Sequence, residues 1–176
     1  LIIVMSVMNG FRTELINKIV GFNSHITVQP YEDKIDIKRV KNTKLQFISK
    51  NLIFSNSSEA VIFRKDNSKG IVLRGYSSKD FSDLEIINNE NFFGEKNNLT
   101  LDNISIGKEL AFTLDLKIGD EIAIMSPSGI ETIIGNLPKQ KSFTVKSFFE
   151  SGLADFDNNI AFINLNTFEE FFGKKS

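Results

Sequence analysis

The chain contains no cysteine and no tryptophan, a single histidine and three prolines. Without cysteine, thiolate catalysis, disulfides and cysteine-ligated metals are excluded. The lone histidine, His25, has no acidic neighbour close by in sequence and reads as a structural or surface residue. A histidine-based triad or a multi-histidine metal site has nothing else to be built from. Neither a Gly-x-x-x-x-Gly-Lys-Ser/Thr loop nor a Gly-x-Gly-x-x-Gly fingerprint is present, so ATP is not bound here through a P-loop. Charge of one sign is also missing: the net charge is -1, which leaves no electrostatic footprint for nucleic acid or an anionic membrane surface. Nor does any stretch reach the roughly 18 apolar residues of a membrane-spanning helix.

What is present is ordinary for a globular chain of 176 residues: 41% hydrophobic and 24% charged, enough for one sizeable domain or two small ones. Aromatic content is dominated by 17 Phe, which together with frequent Asn, Ile and Lys reads as compositional bias rather than function. The first residue is Leu, so the sequence reads as a piece of a longer protein. From Val4 to Phe22 the apolar positions Val4, Met8, Phe11, Leu15, Ile19 and Phe22 fall on one helical face. Gly10 inside that pattern costs about 1 kcal/mol relative to Ala. The segment grades from wholly apolar to amphipathic, which suits either a helix leaving a bilayer or a buried helix start.

His25–Gln29 predicts a short strand ended by Pro30, and Ile37, Val40, Leu45, Ile48 and Leu52 a second helix. Glu59–Phe63 and Gly70–Arg74 flank turn residues and predict a hairpin. This order suggests an α+β layer with helices on one sheet face. Residues 76–98 are polar and irregular, with a short helical signal through Phe81, Leu84 and Ile87, and a soft boundary falls near Ser78. Of the pair Phe92-Phe93, a core role is expected. Beyond it, Asn103–Ile106 predicts a strand, Gly107–Leu114 a short helix, and Ile160–Ile163 a strand. Asp155–Asn159 reads as a turn, and Asn164–Phe172 as a capped helix stopped by Gly173. Carboxylates gather loosely at Asp115, Asp120 and Glu121, and again at Glu150, Asp155 and Asp157. Turn-forming and solvated roles fit them better than a converging acid–base pair. Calcium would need a denser loop of oxygen ligands.

Two of the three prolines flank the most unusual stretch, Pro127-Ser-Gly-Ile-Glu-Thr-Ile-Ile-Gly-Asn-Leu-Pro138. Strand-like runs, Glu121–Ser126 and Ser142–Phe149, lie on either side. A hairpin between such strands ordinarily closes with about two to five residues. The stretch therefore reads as an extended loop whose tip carries Ile133 and Ile134 beside Gly135. Such a loop is either a tolerated insertion or a finger that docks a partner, by strand addition or by placing its isoleucines in a groove.

Several of these strings resemble the LolC/LolE lipoprotein-releasing permeases. Val4-Met-Ser-Val-Met-Asn-Gly-Phe-Arg-Thr-Glu-Leu15 and Ile19-Val-Gly-Phe-Asn-Ser-His-Ile-Thr-Val28 resemble the end of that family's first membrane helix and its emergence into the periplasm. Gly70-Ile-Val-Leu-Arg-Gly75 and Phe149-Glu-Ser-Gly-Leu-Ala-Asp-Phe-Asp157 are similar to later signposts. Ile106-Gly-Lys-Glu-Leu-Ala111 and Leu116-Lys-Ile-Gly-Asp120 are shared with the wider MacB-like periplasmic core.

The resemblance implies the periplasmic domain of an inner-membrane ABC transporter permease, with ATP hydrolysis in a separate subunit and no catalytic residue, cofactor or metal in this chain. Its partners would be a LolA-like periplasmic carrier, the lipoprotein substrate, the ATPase, and a second permease or second copy. The implied fold is α+β: a porter-like strand-helix-strand layer with an inserted β-rich Sabre-like subdomain. Residues 1–21 would be a membrane-exit helix, 22–78 the porter-like half, and 79–173 the Sabre-like subdomain. A further strand-helix-strand unit would follow Phe172 in that family. Residues 127–138 would form the family's hook, the loop that docks the carrier. Pro127 and Pro138 match its bracketing prolines and Gly135 its tip glycine. The implied contact set is Pro127, Ile130, Thr132, Ile133, Ile134, Gly135, Asn136, Leu137 and Pro138, with Gln140 and Lys141 as a polar pad. Lys141 stands where the family has arginine, Ala123 replaces another pad arginine, and Ile134 replaces a methionine. C-type, E-type and merged single-permease forms all remain open, as does a MacB-like exporter whose loop meets a different partner.

Overall fold

The computed structural model describes residues 26–30, 35–45, 49, 51–88, 90–96, 99–132 and 135–173. The apolar helix expected over 4–22, His25, Ile48 and the tip residues Ile133 and Ile134 lie outside them. Ile26–Pro30 forms no strand among the described residues, and Ile26 and Val28 are exposed. Of the expected second helix, Ile37–Lys41 forms a short α1, capped by Asp36, whose carboxylate accepts from the Arg39 amide. Leu45 is helical again, and its carbonyl accepts from the Ser49 amide at 2.9 Å. Leu52 lies beyond it in irregular chain.

The hairpin forms with longer strands and a tighter turn than the sequence suggests. Strands β1 (Ser55–Arg64) and β2 (Asn67–Tyr76) pair from Ser55↔Tyr76 to Arg64↔Asn67, with only Lys65 and Asp66 between them. The polar stretch that follows holds two short helices, α2 (Ser78–Ser82) and α3 (Glu85–Asn88), and the edge strand β3 (Phe93–Gly94). Next come β4 (Asn103–Gly107), α4 (Lys108–Thr113), β5 (Glu121–Thr132) and β6 (Gly135–Phe149). The chain finishes with α5 (Ala154–Asn159), β7 (Ile160–Asn164) and α6 (Leu165–Phe172). Asp155–Asn159 is thus helical rather than a turn: the carboxylates Asp155 and Asp157 sit in its first turn, where the helix dipole favours negative charge.

The strands form one sheet in the order β3-β6-β4-β7-β2-β1-β5, and an additional β5–β6 pairing joins its far strand back to β6. Six strands therefore close into a ring. Strands from both sides of Ser78 share it: β2 runs parallel to β7, and β1 is antiparallel to β5.

Period-two alternation sends one set of residues from every ring strand into a single cluster. Ala60, Ile62, Ile71, Leu73, Ile104, Ile106, Ile122, Ile124, Phe143, Val145, Ala161 and Ile163 meet there, sealed by Leu110 of α4 and by Phe168 and Phe171 of α6. Strand β7 is buried on both faces, which explains its unbroken apolar run. Its Ile160 and Phe162 point into a second cluster with Tyr76, Phe81, Ile86, Ile87, Phe92 and Phe149. There the Phe149 and Phe162 rings stack at 4.5 Å. The expected core pair divides: Phe92 is buried and Phe93 exposed. On β6 an irregularity skips Lys146 in the pairing with β4. One extra residue flips the following side chains to the opposite face, so Phe148 packs on the first cluster and Phe149 enters the second.

Helix α5 lies so close to β4 that a Cβ on Gly107 would sit 1.8 Å from the Asp157 backbone oxygen. Neither side of that contact is a flexible side chain, so the space cannot be recovered by a rotamer change. Gly107→Ala is expected to cost about 1–3 kcal/mol, read as a lower urea midpoint with an unchanged slope; an unaltered midpoint would show that α5 is not packed there.

Candidate functional site

Strands β5 and β6 outlast the ring. Strand β1 pairs with β5 only through Val61↔Met125, Ile62↔Ile124 and Phe63↔Ala123, and β4 pairs with β6 only from Thr144 onward. From Ser126 on β5 and back to Lys139 on β6, each strand therefore has only the other as a strand partner among the described residues. The stretch expected as a long loop is a two-stranded ribbon. Its ladder holds to Ser126↔Lys139, is interrupted, and resumes with Ile130↔Leu137, Glu131↔Asn136 and Thr132↔Gly135.

Both prolines lie inside the interruption: Pro127 follows Ser126 on β5 and Pro138 precedes Lys139 on β6, and neither belongs to a ladder pair. Neither has an amide hydrogen to give the ladder. The pairing recovers only after Ser128 and Gly129 have been passed on β5, so β5 carries the excess length. The prolines do not mark the two ends of a loop; they mark a single break across a hairpin.

The site residues read from the sequence distribute along this ribbon. Pro127, Ile130 and Thr132 lie on β5, and Gly135, Asn136, Leu137, Pro138, Gln140 and Lys141 on β6. Ile133 and Ile134 fall between Thr132 and Gly135, outside the described residues. At the base, Pro138 and Gln140 are exposed and Lys139 and Lys141 half-buried. The Lys139 ammonium donates to the Glu170 carbonyl at 2.6 Å, tying the base to α6. The Lys141 ammonium lies 2.9 Å from Asp102 Oδ1 and 5.9 Å from the centre of the Phe143 ring. Ala123, opposite Ser142, is half-buried and adds no charge.

Asp102 was not visible to sequence reasoning. It is far from Lys141 along the chain and belongs to no motif. The one signal is its place just before a strand that predicts readily.

The two loose carboxylate groups separate into structural roles. Asp120 accepts from Arg64 Nη2 at 2.7 Å and from the Lys117 amide, while Arg64 Nη1 donates to the Leu114 carbonyl. Glu150 pairs with Lys108 at 2.8 Å, and that contact raises the lysine pKa from 10.5. Asp157 is buried, and both its oxygens accept from the Ser151 amide at 3.0 Å. Burial raises its pKa from 3.8 against the opposing pull of those bonds. Among the described residues no group of three or more acidic or histidine side chains is placed to hold a metal. No helix among them is long and apolar enough to cross a membrane.

The fold is shared with the extracellular domain of the noncanonic ABC-type transporter YknZ from Gram-positive bacteria, at a TM-score of 0.50 and 13% identity, over 80% of this chain and 68% of that one. What is shared with that domain is the fold. The resemblance to LolC/LolE is shown by sequence relatives. The lipoprotein-releasing system transmembrane protein LolC of Xylella fastidiosa (strain Temecula1) is 24% identical over 176 residues, 97% of this chain and 42% of the relative. LolC of Neisseria meningitidis serogroup B is 24% identical over 170 residues, 94% of this chain and 41% of the relative. The chain thus spans about two fifths of the length of the curated relatives it matches. No family model matches it.

Two outcomes follow from this geometry. Replacing both Pro127 and Pro138 with Val supplies the missing donors, and each restored backbone bond is worth about 0.5–1.5 kcal/mol. Amide exchange over 130–137 should slow by roughly tenfold; unchanged protection would mean that the prolines do not cause the break. For Asp157, a raised folded pKa means that the folded chain holds the proton more tightly than the unfolded one. Its stabilising contribution is complete below 3.8 and lost as pH rises through the raised value. Urea midpoints of wild type minus Asp157→Asn should therefore fall with rising pH across that window, and a rising difference would reverse the assignment.

Proposed function

We propose that this chain is the periplasmic domain of an inner-membrane ABC permease that releases lipoproteins from the membrane and passes them to a LolA-like carrier, which it docks through the β5–β6 ribbon. The observation that carries the reading is the ribbon itself. It leaves a closed ring as a pair of strands with open outer edges, on a chain similar along nearly its whole length to LolC. A two-stranded hairpin is marginally stable in isolation. One that projects beyond its sheet gains by docking, either through its edges or through apolar tip residues entering a groove.

On this reading Ile130, Thr132, Ile133, Ile134, Gly135, Asn136 and Leu137 form the distal contact, flanked by Pro127 and Pro138. Gln140 and Lys141 supply polar support at the base. The Sabre-like subdomain expected over 79–173 then reaches back to Ser55, because β1 and β2 belong to the ring. The porter-like half keeps only the residues between 22 and that point, and 1–21 is the helix leaving the membrane. The ATPase and a second permease, or a second copy, would join through membrane segments of the longer protein. A MacB-like exporter of another cargo is the second reading, supported by the fold shared with YknZ. The two readings differ in what the ribbon grips.

In the full-length permease, Lys141→Glu and Ile134→Asp should each weaken carrier capture about tenfold or more, the scale of a buried contact at the centre of an interface. Capture by both variants at wild-type levels, measured by pull-down with the carrier of the same organism, would remove the ribbon from the interface.

A further inference from the structure

The base of the ribbon is not a bare strand pair. The turn at Thr100–Asp102 lies against it, held by two bonds that involve no charged side chain. The Asp102 carbonyl accepts from the Thr144 amide at 2.8 Å, and the Leu101 carbonyl accepts from the Thr167 hydroxyl at 2.8 Å. The turn therefore keeps its place whatever the Asp102 carboxylate does. That carboxylate is 72% exposed, yet it reaches Lys141 at 2.9 Å, and Leu101 beside it leaves 56% of its surface in solvent.

An exposed ion pair of this kind contributes little to folding, because water screens it and two side chains must be held still. Its cost to binding is different in kind. A carboxylate on an approaching partner must share Lys141 with Asp102 or displace it, and in either case the Asp102 charge repels it. Lys139 keeps its charge and two further donors, but its ammonium is held at the Glu170 carbonyl, away from the Asp102–Lys141 pair.

We propose that the docking surface extends from the ribbon base onto the 100–102 turn, with Asp102 as an internal place-holder that occupies Lys141 until a carboxylate of the carrier takes over. This rests on the ribbon being the carrier-docking element. Asp102 is then a specificity-determining residue: it disfavours partners lacking an acidic group at that point, and it lowers affinity for the right one. Leu101 supplies an apolar contact next to the exchange.

The test is carrier binding to the full-length permease at low and high salt, with Asp102→Asn, Lys141→Gln and the double variant. Asp102→Asn preserves the backbone carbonyl that holds the turn, and a melting curve checks the fold. With Asp102→Asn, binding should tighten about two- to fivefold at low salt, the gain should shrink as salt rises, and it should be smaller when Lys141 is already Gln. Weaker or unchanged binding by Asp102→Asn, or an equal gain in the Lys141→Gln background, overturns the place-holder. If Lys141→Gln and a deletion of 128–137 both leave binding intact, the ribbon reading fails as well; if they weaken it while Asp102→Asn gives no gain, only the place-holder fails.

Discussion

Closure of the ring depends on three residue pairs. Val61, Ile62 and Phe63 on β1 meet Met125, Ile124 and Ala123 on β5, and nothing else joins those strands in the ladder. At its centre Ile62 faces Ile124, both fully buried. Burying each isoleucine is worth about 1.5–3 kcal/mol. The neighbouring Arg64–Asp120 pair, at the mouth of the seam and partly exposed, belongs to a class worth about 0–1 kcal/mol. The apolar pair holds the seam, and the ion pair with its carbonyl bond to Leu114 orients it. The seam also sets where the ribbon starts. Strand β5 leaves β1 at Met125, two residues before Pro127, so everything distal is released from the sheet.

Local signals were legible where one residue type settles the outcome. Asn164 accepts from the Asn166 amide to open α6, and Gly173 at φ 67° closes it, as the capping pattern predicts. Strands β4 and β7 and the short helix α4 also follow their apolar patterns. Reading failed where distant chain decides. The Asp- and Asn-rich Asp155–Asn159 has turn composition, but docking against Gly107 and burial of Asp157 hold it in a helix. Ring closure and the separate fates of Phe92 and Phe93 depend on partners far away in sequence. In the candidate site, the two prolines were visible, but their place in one interruption of a paired ribbon was not. Local rules treat proline as an end to pairing, whereas the ladder here resumes beyond it.

Phenylalanine abundance acquires a packing role in the structure. Phe81, Phe149 and Phe162 form a connected set of edge and stacked contacts on the outer face of the ring, with Tyr76 against Phe162. Aromatic pairs add about 0.5–1.5 kcal/mol beyond their buried area. They allow the short helices α2 and α3, each too brief to be stable alone, to cover that face. A firmly packed body thus carries a ribbon that the described residues tie to it at its base.

The interrupted ladder has one more consequence. Among the described residues the ribbon has two open outer edges, and such edges invite other strands, including those of identical chains, to add on and grow an intermolecular sheet. Between Ser126 and Ile130 the strand loses its regular register, so a sheet begun at the base meets an irregular edge before the tip. The break protects the chain against edge-to-edge self-assembly.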